Sequence, residues 1–252
     1  MTIKISEILI ASGNKGKLVE IADLLGAIGI KALSAADFNL EEPEETGISF
    51  AENSFIKAKY YGDKTGLIAL ADDSGLCIDL LNNKPGIHSA RWAFDEKTNS
   101  KNFAFAFDKI KQELSAKNID LENEKITAHF ICNLTLYFPK NKEIIPFPIL
   151  DQALNLGLHK PILMCSQEQD QKNLIASPKT TNIARSFEGR VDGRITFPPR
   201  GNNGFGYDPI FIADGCKKTF GEMLAKDKDK ISHRTKAFDQ LIDHYNQLLA
   251  SN

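Results

Sequence analysis

The stretch Leu67-Ile-Ala-Leu-Ala-Asp72-Asp73-Ser-Gly75 decides how this chain is read. Apolar residues run directly into two adjacent carboxylates, and a small, turn-prone dipeptide follows. Carboxylates are rarely accepted at the edge of a core unless they bind a metal, pair with cations or move protons. A strand delivering Asp72 and Asp73 into a tight turn at Ser74 and Gly75 would fix both groups at the end of a sheet, where α/β proteins bind ligands. A helix N-cap or an Asx turn would use the same residues for purely structural ends. The rest of the chain weighs against that simpler reading.

The chain has 252 residues, 42% hydrophobic and 25% charged, which suits one large α/β domain or two lobes sharing a core. Its net charge of -2 provides no bulk basic field, so nucleic acid is not an expected partner and a phosphate-bearing ligand must be held by local cations. No apolar run is long enough to span a bilayer, and the first residues lack the features of a secretion signal. Cys77, Cys132, Cys165 and Cys216 are widely separated, which predicts core thiols rather than a metal or disulfide framework. No membrane partner and a cytoplasmic location are expected.

Working outward, Glu7 to Ala11 reads as a short buried strand, and apolar residues at 18, 21, 22, 25 and 28 predict a helix that stops at Gly29. A helix is expected from Ser49 to Lys64, and another carries Phe103, Phe107, Ile110 and Leu114. Ile126 to Phe138 alternates apolar and polar residues, predicting a long strand with one face on the core. A final helix is expected from Thr235 to Ala250. Between them, the proline-broken segment at about 146–184 reads as a surface insertion, with a small helix expected near Ile149 to Leu158.

Three clusters invite the same ligand. Ser12-Gly13-Asn14-Lys15-Gly16-Lys17 sits at a helix start, where free amides favour phosphate oxygens, although a solvated turn would look the same. Glu44, Glu45, Asp72 and Asp73 are hard oxygen donors of the kind that hold Mg²⁺, whereas Glu41 and Glu42 read as a solvated acidic loop. The run from Pro199 to Phe211 surrounds Phe205, Tyr207 and Asp208 with glycines, including Gly204 and Gly206, and offers an aromatic face for stacking on a base. Lys228, His233 and Arg234 follow just before the last helix, where a helix cap is the plainer use.

Taken in order, Ser12-Gly-Asn-x-x-Lys17, Glu44-Glu-Thr-Gly47, Phe50-x-Glu-Asn53, Lys57-Ala58, Ala71-Asp-Asp-Ser-Gly75, Pro85-Gly86, Ser89-Ala-Arg91, Gly204-Phe-Gly-Tyr-Asp-Pro209 and Ile231-Ser-His-Arg234 resemble the inosine/xanthosine triphosphate pyrophosphatases. The resemblance covers roughly residues 5–143 and 185–248; the segment near 146–184 departs from it, and His88 and Trp92 stand where other aromatics are usual. It implies an α/β fold with an elongated mixed central sheet, flanking helices and two lobes around a nucleotide cleft, in a homodimer. It implies Mg²⁺-dependent hydrolysis of ITP, dITP and XTP to the monophosphate and pyrophosphate.

By the same resemblance, Ser12, Gly13, Asn14, Lys15, Gly16, Lys17 and Lys57 would hold phosphates. Glu45, with Glu44 as its rival, Asp72 and Asp73 would organise the metal and the attacking water, with Asp73 as general base. Phe205 would stack on the purine, while Ser74, Gly206, Tyr207, Asp208, Lys228, His233 and Arg234 would complete the substrate pocket. Two alternatives stay open: a septum-inhibitor-type pyrophosphatase acting on modified pyrimidines, and a non-catalytic nucleotide-binding protein.

Overall fold

The computed structural model describes residues 5–96, 99–121, 123–139 and 183–250. Glu7–Ile10 (β1) lies between two parallel partners, Lys31–Ser34 (β2) and Ala69–Ile78 (β3). Parallel neighbours need crossovers, and Lys15–Ala27 (α1) and Phe50–Thr65 (α2) lie between the strands in sequence. Helix α1 starts where Asn14 caps it, and the chain leaves the helical conformation at Gly29, which has φ of 74°. Helix α2 starts at Ser49, whose side chain accepts from the Glu52 amide, and stops at Gly66, with φ of 68°.

No turn follows the aspartate pair. β3 runs unbroken through Ser74 and Gly75, and its far end pairs antiparallel with Lys84–Pro85 (β4). Burial on both sides of the dipeptide, from Leu70 to Ile78, keeps the backbone extended where local propensity alone favours a turn. After Ser89–Trp92 (α3), the two-stranded pair Phe94–Asp95 (β5) and Ser100–Lys101 (β6), and Phe103–Ser115 (α4), the main sheet resumes. It takes up Ile126–Phe138 (β7), Ile183–Ile195 (β8) and Phe211–Ala213 (β9) in the order β2-β1-β3-β7-β8-β9. With β1 parallel to its neighbours and β8 antiparallel to β9, the sheet is mixed, as expected. Ala225–Asp229 (α5) and His233–Ala250 (α6) close the chain.

The chain divides into two compact units. The first comprises Met1–Asp72, Leu134–Phe187 and Asp243–Asn252. In it Leu9, Ala11 and Ala71 pack with Ala58 and Tyr61 of α2 and with Tyr137. A line of hydroxyls runs through this core: Ser54 Oγ lies 2.7 Å from Thr135 Oγ1, which lies 2.9 Å from Ser186 Oγ.

The second unit comprises Asp73–Asn133 and Glu188–Ile242. Its core joins Leu76 and Ile78 to Ala106, Ile110 and Leu114 of α4, to Ile126, Ala128 and Phe130 of β7, and to Phe211 and Phe220. The alternation along β7 is as expected, but one covered face was too narrow a reading. His129, Asn133, Thr135 and Tyr137 on the other face are buried as well, as befits an interior strand of the sheet.

Helix α6 begins two residues before Thr235, because the Ser232 hydroxyl accepts the Thr235 amide at 3.1 Å and acts as its cap. β8 begins at Ile183, so Ile183 and Ala184 belong to the sheet rather than to an insertion ending at 184. The rest of that segment, including the helix expected near Ile149 to Leu158, lies outside the described residues, as does Cys165. Cys77 and Cys216 are free thiols, and burial pushes Cys77 up to about 12, far from reactive. Among the described residues no helix is long and apolar enough to cross a membrane.

Gly189 on β8 sets how closely α6 approaches it. A Cβ there would lie 1.9 Å from the His233 carbonyl oxygen and 2.5 Å from the Ala237 nitrogen, both backbone atoms that cannot swing aside. Gly189→Ala is therefore expected to lower the unfolding free energy by about 2–3 kcal/mol, read from urea denaturation. A denaturation midpoint equal to that of the wild type would contradict this packing.

Candidate functional site

In the first unit, the Ser12–Lys17 turn is built around Asn14. Its carboxamide oxygen accepts the Gly16 amide at 3.0 Å and the Lys17 amide at 3.3 Å, and the Asn14 amide donates to Ser12 Oγ at 3.2 Å. This corrects the expectation of free amides at the helix start: those of Gly16 and Lys17 are already taken by the cap. Lys15 is exposed as the first helical residue. Gly13 lies under the Glu42 carboxylate: a Cβ would come 2.2 Å from one of its oxygens, the flexible end of an exposed side chain. Glu42 thus reaches the turn from a loop whose sequence reads only as solvated, a contact that no spacing pattern announces.

Two cation–carboxylate pairs follow. Lys17 pairs with Asp72, whose side chain is fully buried, and Lys57 pairs with Glu45. Glu44 is exposed. The Glu45 loop is tied down from α2, with the Gly47 amide donating to Asn53 Oδ1 at 2.9 Å and the Ile48 amide to Glu52 Oε2 at 2.7 Å. Among the described residues no group of three or more His, Cys, Asp or Glu could by itself cage a metal. The donors are instead hard carboxylates beside lysines, a set that fits Mg²⁺, which keeps waters and takes substrate phosphates as ligands.

The second unit opens with Asp73, also buried. Side chains alternate along a strand, so Asp73 shares the face of Ala71 and Asp72 that of Leu70. Ser74 Oγ accepts from Arg234 Nη2 at 3.1 Å. Arg234 is itself buried, and its guanidinium carbon lies 5.9 Å from the Phe205 ring centroid. Lys228 Nζ lies 4.8 Å from that centroid and 2.7 Å from Asp208 Oδ2, the same oxygen that accepts the Phe205 amide at 2.8 Å. Gly204 has φ of 71°, and a Cβ on it would lie 2.1 Å from Asp208 Oδ2. The loop around Phe205 is thus folded onto one buried carboxylate.

Three residues expected to complete the substrate pocket also make contacts within the protein. Tyr207 packs edge-on against Phe103, with ring centroids 5.2 Å apart, and donates its hydroxyl to the Ser89 carbonyl at 2.8 Å. Burial raises the pKa of its phenol. Asp208 accepts the Phe205 amide and pairs with Lys228, as above. His233 is buried and stacks on Phe130, with centroids 4.8 Å apart and planes 11° apart. Gly206, with φ of 68°, contributes backbone freedom beside Phe103. Ser89 is a hub the sequence reading did not single out: its hydroxyl accepts the Leu76 amide and donates to the Gly86 carbonyl. Its only signal was its place in Ser89-Ala-Arg91.

Together these features define a mixed-sheet α/β protein with one lysine–carboxylate pair at a capped helix start, a second from the interior of α2, and a buried ion pair beneath an aromatic ring. A model of the Ham1 family matches residues 8–148 and 171–244. A Zymomonas mobilis protein named dITP/XTP pyrophosphatase is 39% identical over 235 residues, 93% of this chain and 90% of that protein. A Haemophilus influenzae protein of the same name is 35% identical over 238 residues, 93% of this chain and 96% of its own. The solved structure of a HAM1 protein from Coxiella burnetii aligns with a TM-score of 0.68 and 31% identity, covering 96% of this chain and 100% of that one. The chain belongs to the Ham1 family.

The Asp208–Lys228 pair yields a stability prediction. Removing one partner of a buried ion pair typically costs about 3–5 kcal/mol, because the other charge loses its counter-ion. Asp208→Ala is expected to fall in that range by urea denaturation, and Asp208→Asn, which keeps an acceptor for the Phe205 amide, to cost less. Equal and small losses in both variants would show that the pair does not carry the loop.

Proposed function

We propose that this protein hydrolyses the non-standard purine nucleotides dITP, ITP and XTP between the α and β phosphates, releasing the monophosphate and pyrophosphate. The observation that carries the reading is the pairing of Lys17 with Asp72 and of Lys57 with Glu45. Each lysine can exchange its carboxylate for a phosphate oxygen, which leaves the carboxylate to face a cation. The names of the relatives at 39% and 35% identity support the same substrate class.

In this reading Glu45, Asp72 and Asp73 hold Mg²⁺ together with the substrate phosphates. The bound ion would lower the pKa of water and offset charge on the phosphates. Asp73 orients the attacking water and accepts its proton. Lys17 and Lys57 hold the phosphate oxygens. Phe205 stacks on the purine, backed by Lys228, while Arg234 and Ser74 border the same pocket. Tyr207, Asp208 and His233 act one layer back, fixing these groups. We extend the proposal to a cytoplasmic homodimer working as one two-lobed domain.

The test is a panel of dITP, ITP, XTP, ATP and GTP with Mg²⁺, scoring pyrophosphate against orthophosphate. Donors aimed at a keto oxygen lose their partner when an amino group takes its place, so kcat/KM is expected to favour the first three over ATP by about 10²-fold or more. Equal values across all five would remove the cleansing role, and orthophosphate as product would move the cleaved bond. For the base, Asp73→Asn is expected to stay folded and lower kcat by about 10²–10⁴-fold. Near wild-type turnover of dITP by that variant would take the proton transfer away from Asp73.

A further inference from the structure

The loop carrying Glu45 is gripped by two consecutive turns of α2. Asn53 Oδ1 accepts the Gly47 amide at 2.9 Å, and Lys57, four residues on and so on the same helix face, pairs with Glu45 itself. Asn53 is 1% exposed, an unusual depth for an asparagine in a helix interior. The fit is close from the loop side too, because a Cβ on Gly47 would lie 2.6 Å from Asn53 Oδ1 and 2.6 Å from Glu52 Cβ. The Ile48 amide adds a second tether to Glu52. Backbone and carboxylate are therefore held by separate side chains of one rigid element.

We propose that Asn53 is a positioning residue for divalent-cation binding: by fixing the Gly47 backbone it orders the Glu45 carboxylate before the ion arrives. The inference rests on the reading of Glu45 as a metal-holding residue. A carboxylate on an untethered loop has to be ordered when the ion binds, and that entropy is taken from the affinity. Lys57 cannot supply this order alone, since it must release Glu45 when it turns to a phosphate. The Asn53 bond involves only the backbone and persists through that exchange.

The test compares the wild type with Asn53→Ala, Gly47→Ala and the double variant. Mn²⁺, as a spectroscopic substitute for Mg²⁺, is titrated into each full-length protein saturated with non-hydrolysable α,β-imido-dITP, and free Mn²⁺ is read by electron paramagnetic resonance. Each single variant is expected to raise the Mn²⁺ dissociation constant about tenfold, the low end for losing an outer-shell partner of a metal ligand. The double variant is expected to match the singles rather than multiply them, because both break one hydrogen bond. At saturating Mg²⁺, kcat is expected to stay within about threefold of the wild type. If Asn53→Ala does not fold, Gly47→Ala decides, since it strains the same bond from the other side. Unchanged Mn²⁺ affinity in folded variants, beside a wild type that releases pyrophosphate from dITP, overturns the positioning role alone. A wild type that releases none overturns the functional reading beneath it.

Discussion

Everything near the aspartate pair depends on the burial of Asp72 in the middle of an extended strand. A fully buried carboxylate is tolerable only with a counter-charge, and here Lys17 supplies it. That requirement shapes α1. Its first turn reads Lys15-Gly16-Lys17, with no acidic residue, which is a poor start for a helix whose N-terminus already carries positive partial charge. Asn14 offsets the weakness by taking two amides, and the ion pair offsets the rest. A cation in the first turn opposes helix stability, so its presence there reflects what it must reach.

Much of the fold could be read directly. β7 is legible to the residue because apolar residues recur at every second position from Ile126 to Phe138, and α4 because Phe103, Phe107, Ile110 and Leu114 recur at helical spacing. The misreadings have identifiable causes. Ser74-Gly75 looks like a turn because local propensity says so, but the ladder of β3 and the burial of Leu76 to Ile78 overrule it. Helix α6 starts earlier than its apolar spacing suggests because Ser232 caps it, and a cap carries no apolar signal.

At the candidate site the sequence names the residues, while their contacts emerge only in the fold. Lys17, Lys57, Glu45 and Asp72 were named together, and they do form ion pairs. Tyr207 and Asp208 read as pocket residues because they flank Phe205. Their partners lie 118 and 20 residues away, at Ser89 and Lys228, and nothing local announces them. Phe205 keeps its ligand-facing role in the proposal because its amide, not its ring, is consumed by Asp208. A stacking surface gains from such rigidity, as less freedom remains to be lost when a base settles on it.

The two lysine–carboxylate pairs also bear on what the first unit can accept. With cation and carboxylate already matched, a bare polyanion would claim Lys17 and Lys57 but strand Asp72 and Glu45 beside it, one of them fully buried. A bare divalent ion would do the reverse, drawing the carboxylate away from each of the two ammonium groups. Either alone meets a penalty in desolvated, uncompensated charge. A ligand that brings anion and cation together replaces both halves of each pair at once. On the proposed reading, that makes the nucleotide–Mg²⁺ complex, rather than either component, the species for which these pairs are built.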